Sequence, residues 1–227
     1  MPDFPPVEPH GALQPIFDDA WFLTGSVSFK PLVRLSRNMI VLRDGGDLVL
    51  INAVRLDAAG EAALDALGTV RHVMKIGMHS MDDAYYTDKY AARHWTVDDL
   101  KGADTLPIAN LRAIIFKDTV LPEAALLLER SGGLLITCDS VQHWVPSDLM
   151  SPVAKLITRF LGFQHPAQVG PPWRKKQTPE GGSLHNDFKR LCELKFDRLI
   201  GGHGGLLEAD ACTVLASSVA RNFPGED

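Results

Sequence analysis

Three short runs of apolar and β-branched residues, 20–24, 38–42 and 47–52, follow one another before any helical pattern appears. Asp44-Gly45-Gly46 forms a hairpin turn between the last two. Residues 57–67 then carry Ala and Leu at helical spacing and stop at Gly68; 70–76 is the next strand, leading to a helix around 85–92. In the second half, 113–117, 124–128 and 134–138 are predicted strands, with Ser131-Gly132-Gly133 turning into the last. Ser147 is placed as the cap of a helix through 161, and 164–182, rich in Gly and Pro, as a loop. A helix over 184–194, a strand over 196–200 and a final helix over 208–221 complete the pattern. A doubly wound sheet would alternate strand and helix from the start. Strands first and alternation later predict an α/β (α+β) fold, with two packed mixed sheets and helices outside.

A chain of 227 residues suits one such domain, and 45% hydrophobic residues supply its core. Residues 1–15, rich in proline and acid, are expected as a tail over the surface and 16–227 as the single domain. Lys and Arg number 23 against 28 Asp and Glu, a net charge of −5, so no nucleic-acid partner is expected. The three cysteines are scattered, which argues against a disulfide framework or a zinc ribbon and for a reducing compartment. The first residues lack the basic and apolar regions of a secretory signal, and no apolar run approaches the ~20 residues of a membrane span. A soluble, cytoplasmic chain with no membrane partner is expected; a homodimer stays open.

Chemistry concentrates at three places, each the exit of an apolar strand: His79-Ser80-Met81-Asp82-Asp83, Asp139-Ser140, and His203 inside Gly-Gly-His-Gly-Gly. Ligand and catalytic groups gather at strand ends, where rigid backbone meets adaptable loop. Imidazole and carboxylate are the donors a borderline divalent metal takes. Glycines flanking His203 allow close approach of neighbouring loops.

In this order the clusters resemble the metallo-β-lactamase superfamily. Its signature H-x-H-x-D-H follows a strand, with a later His, an Asp after another strand and a last His near the C-terminal end. On that match His79 takes the first His position, Met81 the second, Asp83 the Asp and Ala84 the third His. Asp139, ending Leu-Leu-Ile-Thr-Cys-Asp, corresponds to the bridging Asp and His203 to the terminal His, while Leu121-Pro122-Glu123 stands where the intervening His belongs. The resemblance runs from the strands near Trp21 to the last helix and implies an αββα sandwich. It leaves one metal with only His79 of its ligands, and the other with Asp83, Asp139 and His203. One divalent ion on Asp83, Asp139 and His203 with His79 nearby is therefore expected, with Asp82 or Glu123 as a compensating carboxylate. Zinc is the first choice of ion and Fe or Mn the alternatives, with no ion at all left open. A water on such an ion is acidified to a pKa of about 7, which implies hydrolysis of an ester, lactone, thioester or amide.

Simpler readings compete at each position. Asp82-Asp83 can cap the following helix, and Asp139-Ser140 can be a turn. Tyr85, His143 and Trp173 are candidates to line the cleft, although a surface position is the more ordinary reading for His143 and a solvated loop for Trp173. The apolar stripe within 149–163 is a core face, a roof over the cleft or a dimer contact. Two rival functions follow. The missing ligands at Met81 and Ala84 favour a protein of the same fold that binds a small molecule or protein partner without turnover. An iron-bearing redox variant would need an electron-supplying extension, for which the sequence offers no flavin- or rubredoxin-like segment.

Overall fold

The computed structural model describes residues 4–30, 32–163 and 165–226. Strands β1 (Gln14–Phe17), β2 (Ala20–Lys30), β3 (Val33–Asp44) and β4 (Asp47–Ile51) form an antiparallel run in sequence order. Helix α1 (Ala58–Leu67) follows, capped by Asp57, whose side chain accepts from Gly60 N at 2.8 Å. Then β5 (Thr69–Met74) adds in parallel beside β4, α2 (Asp83–Tyr90) crosses over, and β6 (Arg93–Trp95) closes a six-stranded sheet in the order β1-β2-β3-β4-β5-β6. Helix α3 (Val97–Gly102), with a Thr96–Asp99 capping box, leads to the second half.

There β7 (Leu111–Ile115), β8 (Ala124–Leu128) and β9 (Leu134–Ile136) pair antiparallel, and β10 (Val141–Gln142) follows. After α4 (Pro152–Phe160) come β11 (Gln168–Val169), which pairs with β10, and the helices α5 (Pro171–Gln177) and α6 (His185–Cys192). The chain ends with β12 (Arg198–Ile200), β13 (Leu206–Leu207) and α7 (Ala211–Asn222). Strand β12 lies parallel to β9, giving a second sheet ordered β13-β12-β9-β8-β7.

The continuous apolar strands are explained by burial on both faces. In β4, Val49 and Ile51 face the second sheet while Leu48 and Leu50 face α1 and α2. In β8, Ala124, Leu126 and Leu128 join that same inner core while Ala125 and Leu127 pack under α6 and α7. Three apolar layers therefore alternate with two sheets, the expected sandwich. Each fully buried Leu contributes roughly 1.5–3 kcal/mol through lost water contact.

Three local expectations change. The segment ahead of β1 is docked along β2, with Gly11 N donating to Thr24 O at 2.8 Å and Asp57 N donating to His10 Nε2 at 2.9 Å. The boundary at residue 15 falls inside β1, and residues 1–3 of the expected tail lie outside the described residues. Helix α4 is capped by Ser151, not Ser147: Ser151 Oγ accepts from Ala154 N at 3.2 Å and Pro152 fills the first turn, where its missing N–H costs nothing. The expected loop 164–182 contains β11 and α5, because the Pro171-Pro172 pair starts a helix instead of breaking one; Gln164 lies outside the described residues.

Candidate metal centre

The exits of β5, β9 and β12 meet at one edge of the sandwich. Thr137 N donates to Ile200 O at 3.0 Å and Gly202 N to Cys138 O at 2.7 Å, so the segments bearing Asp139 and His203 continue side by side beyond their strands. The first sheet reaches across to hold them. Asn38 N donates to Gly202 O at 2.8 Å, and Asn38 Nδ2 to Gly201 O at 3.0 Å and Gly204 O at 3.2 Å. Asn52 Nδ2 donates to Thr137 O at 3.2 Å. The glycines around His203 are required by this crowding. Gly204 has φ of +86°, and a Cβ there would lie 2.0 Å from His143 O; one on Gly202 would lie 3.0 Å from both Cys138 O and the His79 ring.

The result is a convergence of three donors. His203 Nε2 is 3.2 Å and His79 Nε2 3.4 Å from the same oxygen, Asp139 Oδ1, and the three donor atoms all lie within 4.8 Å of one another. A tetrahedral ion with ligands at ~2.0–2.1 Å spaces neighbouring donors roughly 3.4 Å apart, so the two imidazole–carboxylate distances match that spacing and the donor types match its chemistry. His203 Nδ1 donates to Ser36 O at 2.5 Å, which fixes the tautomer and aims Nε2 inward, as a metal-binding histidine requires. Trp144 stacks on the His203 ring, with ring centroids 5.2 Å apart. Gln142 Nε2 donates to Asp139 Oδ1 and to its carbonyl oxygen, both at 3.1 Å. Burial opposes charge on Asp139, but the two imidazoles outweigh it and hold the carboxyl far below the usual range.

Asp139 and His203 line a cavity of about 260 Å³, and His79 stands behind them outside its lining. Its walls include Val33, Leu35, Ile157, Leu161, Phe163 and Trp173, and Lys176 contributes a cation. An apolar pocket with a few convergent polar groups is the usual form of a small-molecule site. A larger depression of about 740 Å³, lined by Arg112, Lys117, Arg190 and Lys195 among others, contains no histidine, cysteine or aspartate.

Solved structures share this architecture. The chain superposes on DIM-1 metallo-β-lactamase exposed to ceftazidime with a TM-score of 0.60 at 11% identity, over 96% of this chain and 100% of that one. It superposes on VMB-1 with 0.61 at 11% identity, over 95% and 97%. For the mono-zinc form of FIM-1 from Pseudomonas aeruginosa the values are 0.56 and 11%, over 96% and 98%. The chain has the metallo-β-lactamase fold. Comparison with protein-family models and with curated protein sequences finds no match.

Within the metallo-β-lactamase fold, the residues marked by the sequence separate into two groups. His79, Asp139 and His203 converge, and Trp173 lines the cavity above them. Asp83 stands apart from the cluster: it opens α2, and its Oδ2 lies 3.1 Å from His94 Nε2. Burial raises its carboxyl, a shift that His94 moderates. Asp82 is engaged elsewhere too, in a buried ion pair with Arg37 and as acceptor of Arg55 N at 2.8 Å. Of the expected donors His79, Asp83, Asp139 and His203, the structure brings His79, Asp139 and His203 together and leaves Asp83 outside that group. Tyr85 and His143 are not among the residues lining the cavity: Tyr85 bonds Glu61 and stacks under Arg55, and His143 serves through its carbonyl, which accepts from Gly205 N at 2.8 Å. Asn38, Gln142 and Trp144, which orient the donors, carry no sequence signal, since each acts through partners distant in the chain or across a turn.

Glu123 is not a member of the donor cluster but lies close behind it, fully buried. A Cβ on Gly77 would sit 2.7 Å from its Oε2 and 2.6 Å from Cys138 Cβ. Neither carboxyl oxygen has a hydrogen-bond partner of good geometry among the described residues. Burial, reinforced by the charge of Asp139, pushes its carboxyl well up, with Trp173 and Ser140 acting the other way. A raised native value gives stability that is complete below the ordinary Glu range of about 4.3 and is lost as pH climbs toward the native value. Glu123→Gln is expected to melt like the parent near pH ~4 and a few degrees higher near pH ~8. Thermal melts of the two proteins across that interval check it; parallel curves would refute a neutral Glu123.

Proposed function

We propose that this chain is a metal-dependent hydrolase holding one divalent ion on His79, Asp139 and His203. Zinc suits two imidazoles and one carboxylate best, and Fe or Mn also accepts them. The substrate class is an ester, lactone, thioester or amide. The observation that carries this reading is the meeting of two imidazole nitrogens on one buried carboxylate oxygen at the end of an apolar cavity.

When bound, the ion would polarise the scissile carbonyl and acidify a water. The chain's own residues do the positioning. Ser36 and Trp144 keep the His203 ring from rotating, and Gln142 keeps the shared oxygen of Asp139 turned toward both imidazoles. Leu35, Ile157, Leu161 and Trp173 give the cavity apolar walls, and such low-dielectric surroundings strengthen the electrostatic interactions beside them. Lys176 places a cation beside Met78 on the cavity wall, suited to an anionic group on the substrate.

A panel of nitrophenyl esters, lactones, acyl thioesters and anilides is the test. Turnover of at least one class is expected, abolished by chelation and restored by Zn, Fe or Mn. A protein that keeps its ion yet turns over none of them would instead fit the non-catalytic binding protein that the losses at Met81 and Ala84 suggest.

A further inference from the structure

Helix α4 buries little of its apolar surface. Ala154 and Thr158, one turn apart, are its buried residues, while Val153, Leu156, Ile157, Phe160 and Leu161 are exposed. At 100° per residue Leu156 and Phe160 lie on the side opposite Ala154, and Phe160 is 80% exposed. The β2–β3 hairpin extends the same surface with Phe29 and Leu32, which are 63% and 73% exposed. It is tied to the start of α4: Ser151 Oγ donates to Leu32 O at 2.8 Å, and Arg34 Nε donates to Leu149 O at 2.9 Å. Isolated exposed apolar residues are ordinary, but a contiguous group of this kind marks an interaction surface.

Charge identifies the partner. Residues 149–179 hold no Asp or Glu, in a chain whose net charge is −5; of their cations, Arg174 is turned to the C-terminal helix, bonded to Asn222 and packed on Phe223, while Lys155 and Arg159 belong to α4 itself. Helical geometry puts Lys155 and Arg159 along one edge of the apolar stripe. A second copy docking by two-fold symmetry would bring this basic, apolar face against itself, so that like charges meet. An anionic lipid surface satisfies both parts, taking the apolar side chains between its headgroups and the cations against its phosphates. No described helix is long and apolar enough to cross a membrane. The expectation of no membrane partner rested on span length alone, which does not bear on a helix lying in the surface.

We propose that α4 and the β2–β3 hairpin together form a docking face for an anionic lipid bilayer. Ile157 and Leu161 of that face also wall the cavity, so docking would bring the cavity to the lipid surface.

Co-flotation of the full chain with phosphatidylcholine–phosphatidylglycerol vesicles, against phosphatidylcholine vesicles alone, tests this without reference to metal or turnover. Binding to the anionic vesicles is expected, about tenfold or more above the neutral ones and weakened by salt. The double substitution Leu156→Asp, Phe160→Asp should lower it at least about tenfold with an unchanged circular dichroism spectrum, and Lys155→Glu should lower it by a smaller factor. No binding to anionic vesicles, or binding indifferent to these substitutions, would overturn the proposal. So would a lipid-free dimer in sedimentation that the double substitution dissolves.

Discussion

Asp139→Ala is expected to purify with less than about a tenth of an equivalent of metal, where the parent carries about one. The reason is that Asp139 Oδ1 is the atom both imidazoles face, at 3.2 and 3.4 Å, and the one anionic donor of the three. Removing it leaves only the two imidazole nitrogens. Losing a mere supporting hydrogen bond in a metal site costs ~10–100-fold in affinity, so losing a direct ligand costs at least that. His203→Ala should behave the same way, with the additional loss of its stack on Trp144. Asp83→Asn should retain the ion, because its carboxylate is bonded to His94 and not to the cluster. Elemental analysis of the three variants after gel filtration decides it. Full metal content in both Asp139→Ala and His203→Ala would show that the ion, if any, sits elsewhere.

Asp82→Ala should be the most destabilising single change near the site while sparing metal uptake. Arg37 and Asp82 are 6% and 1% exposed and pair directly, and Arg37 Nε also donates to Ser26 O at 3.2 Å. Deleting one member of a buried pair strands the other charge, a loss of about 3–5 kcal/mol. For a chain of this size that corresponds to a melting point lower by about 10 °C. The same substitution removes the acceptor of Arg55 N. Thermal melts and metal content of one preparation check both halves. An unchanged melting point with lost metal would return Asp82 to the ligands.

The fold was legible where strands were long enough for composition to show. Strands β4 and β8 announced themselves because burial on both faces demands unbroken apolar residues. Strands β6, β10, β11 and β13 have two or three residues each and exist through their pairing, for which a short stretch of sequence offers no period. At the site, His203 stood out because a turn among glycines has no need of imidazole. Asp82 and Asp83 were ambiguous for the converse reason. Adjacent acids after a strand suit metal binding, helix capping and ion pairing alike, and the partners the structure gives them, Arg37 and His94, belong to β3 and β6.

The brace formed by Ser36 and Asn38 has a consequence for how the two sheets can move. Both residues belong to β3, in one layer, and both hold the segment around His203, which leaves the other. The imidazole is therefore aimed by the alignment of the layers, not by its own loop. Any slippage of one sheet over the other rotates this ring away from Asp139, so the centre acts as a gauge of whether the halves of the sandwich are in step.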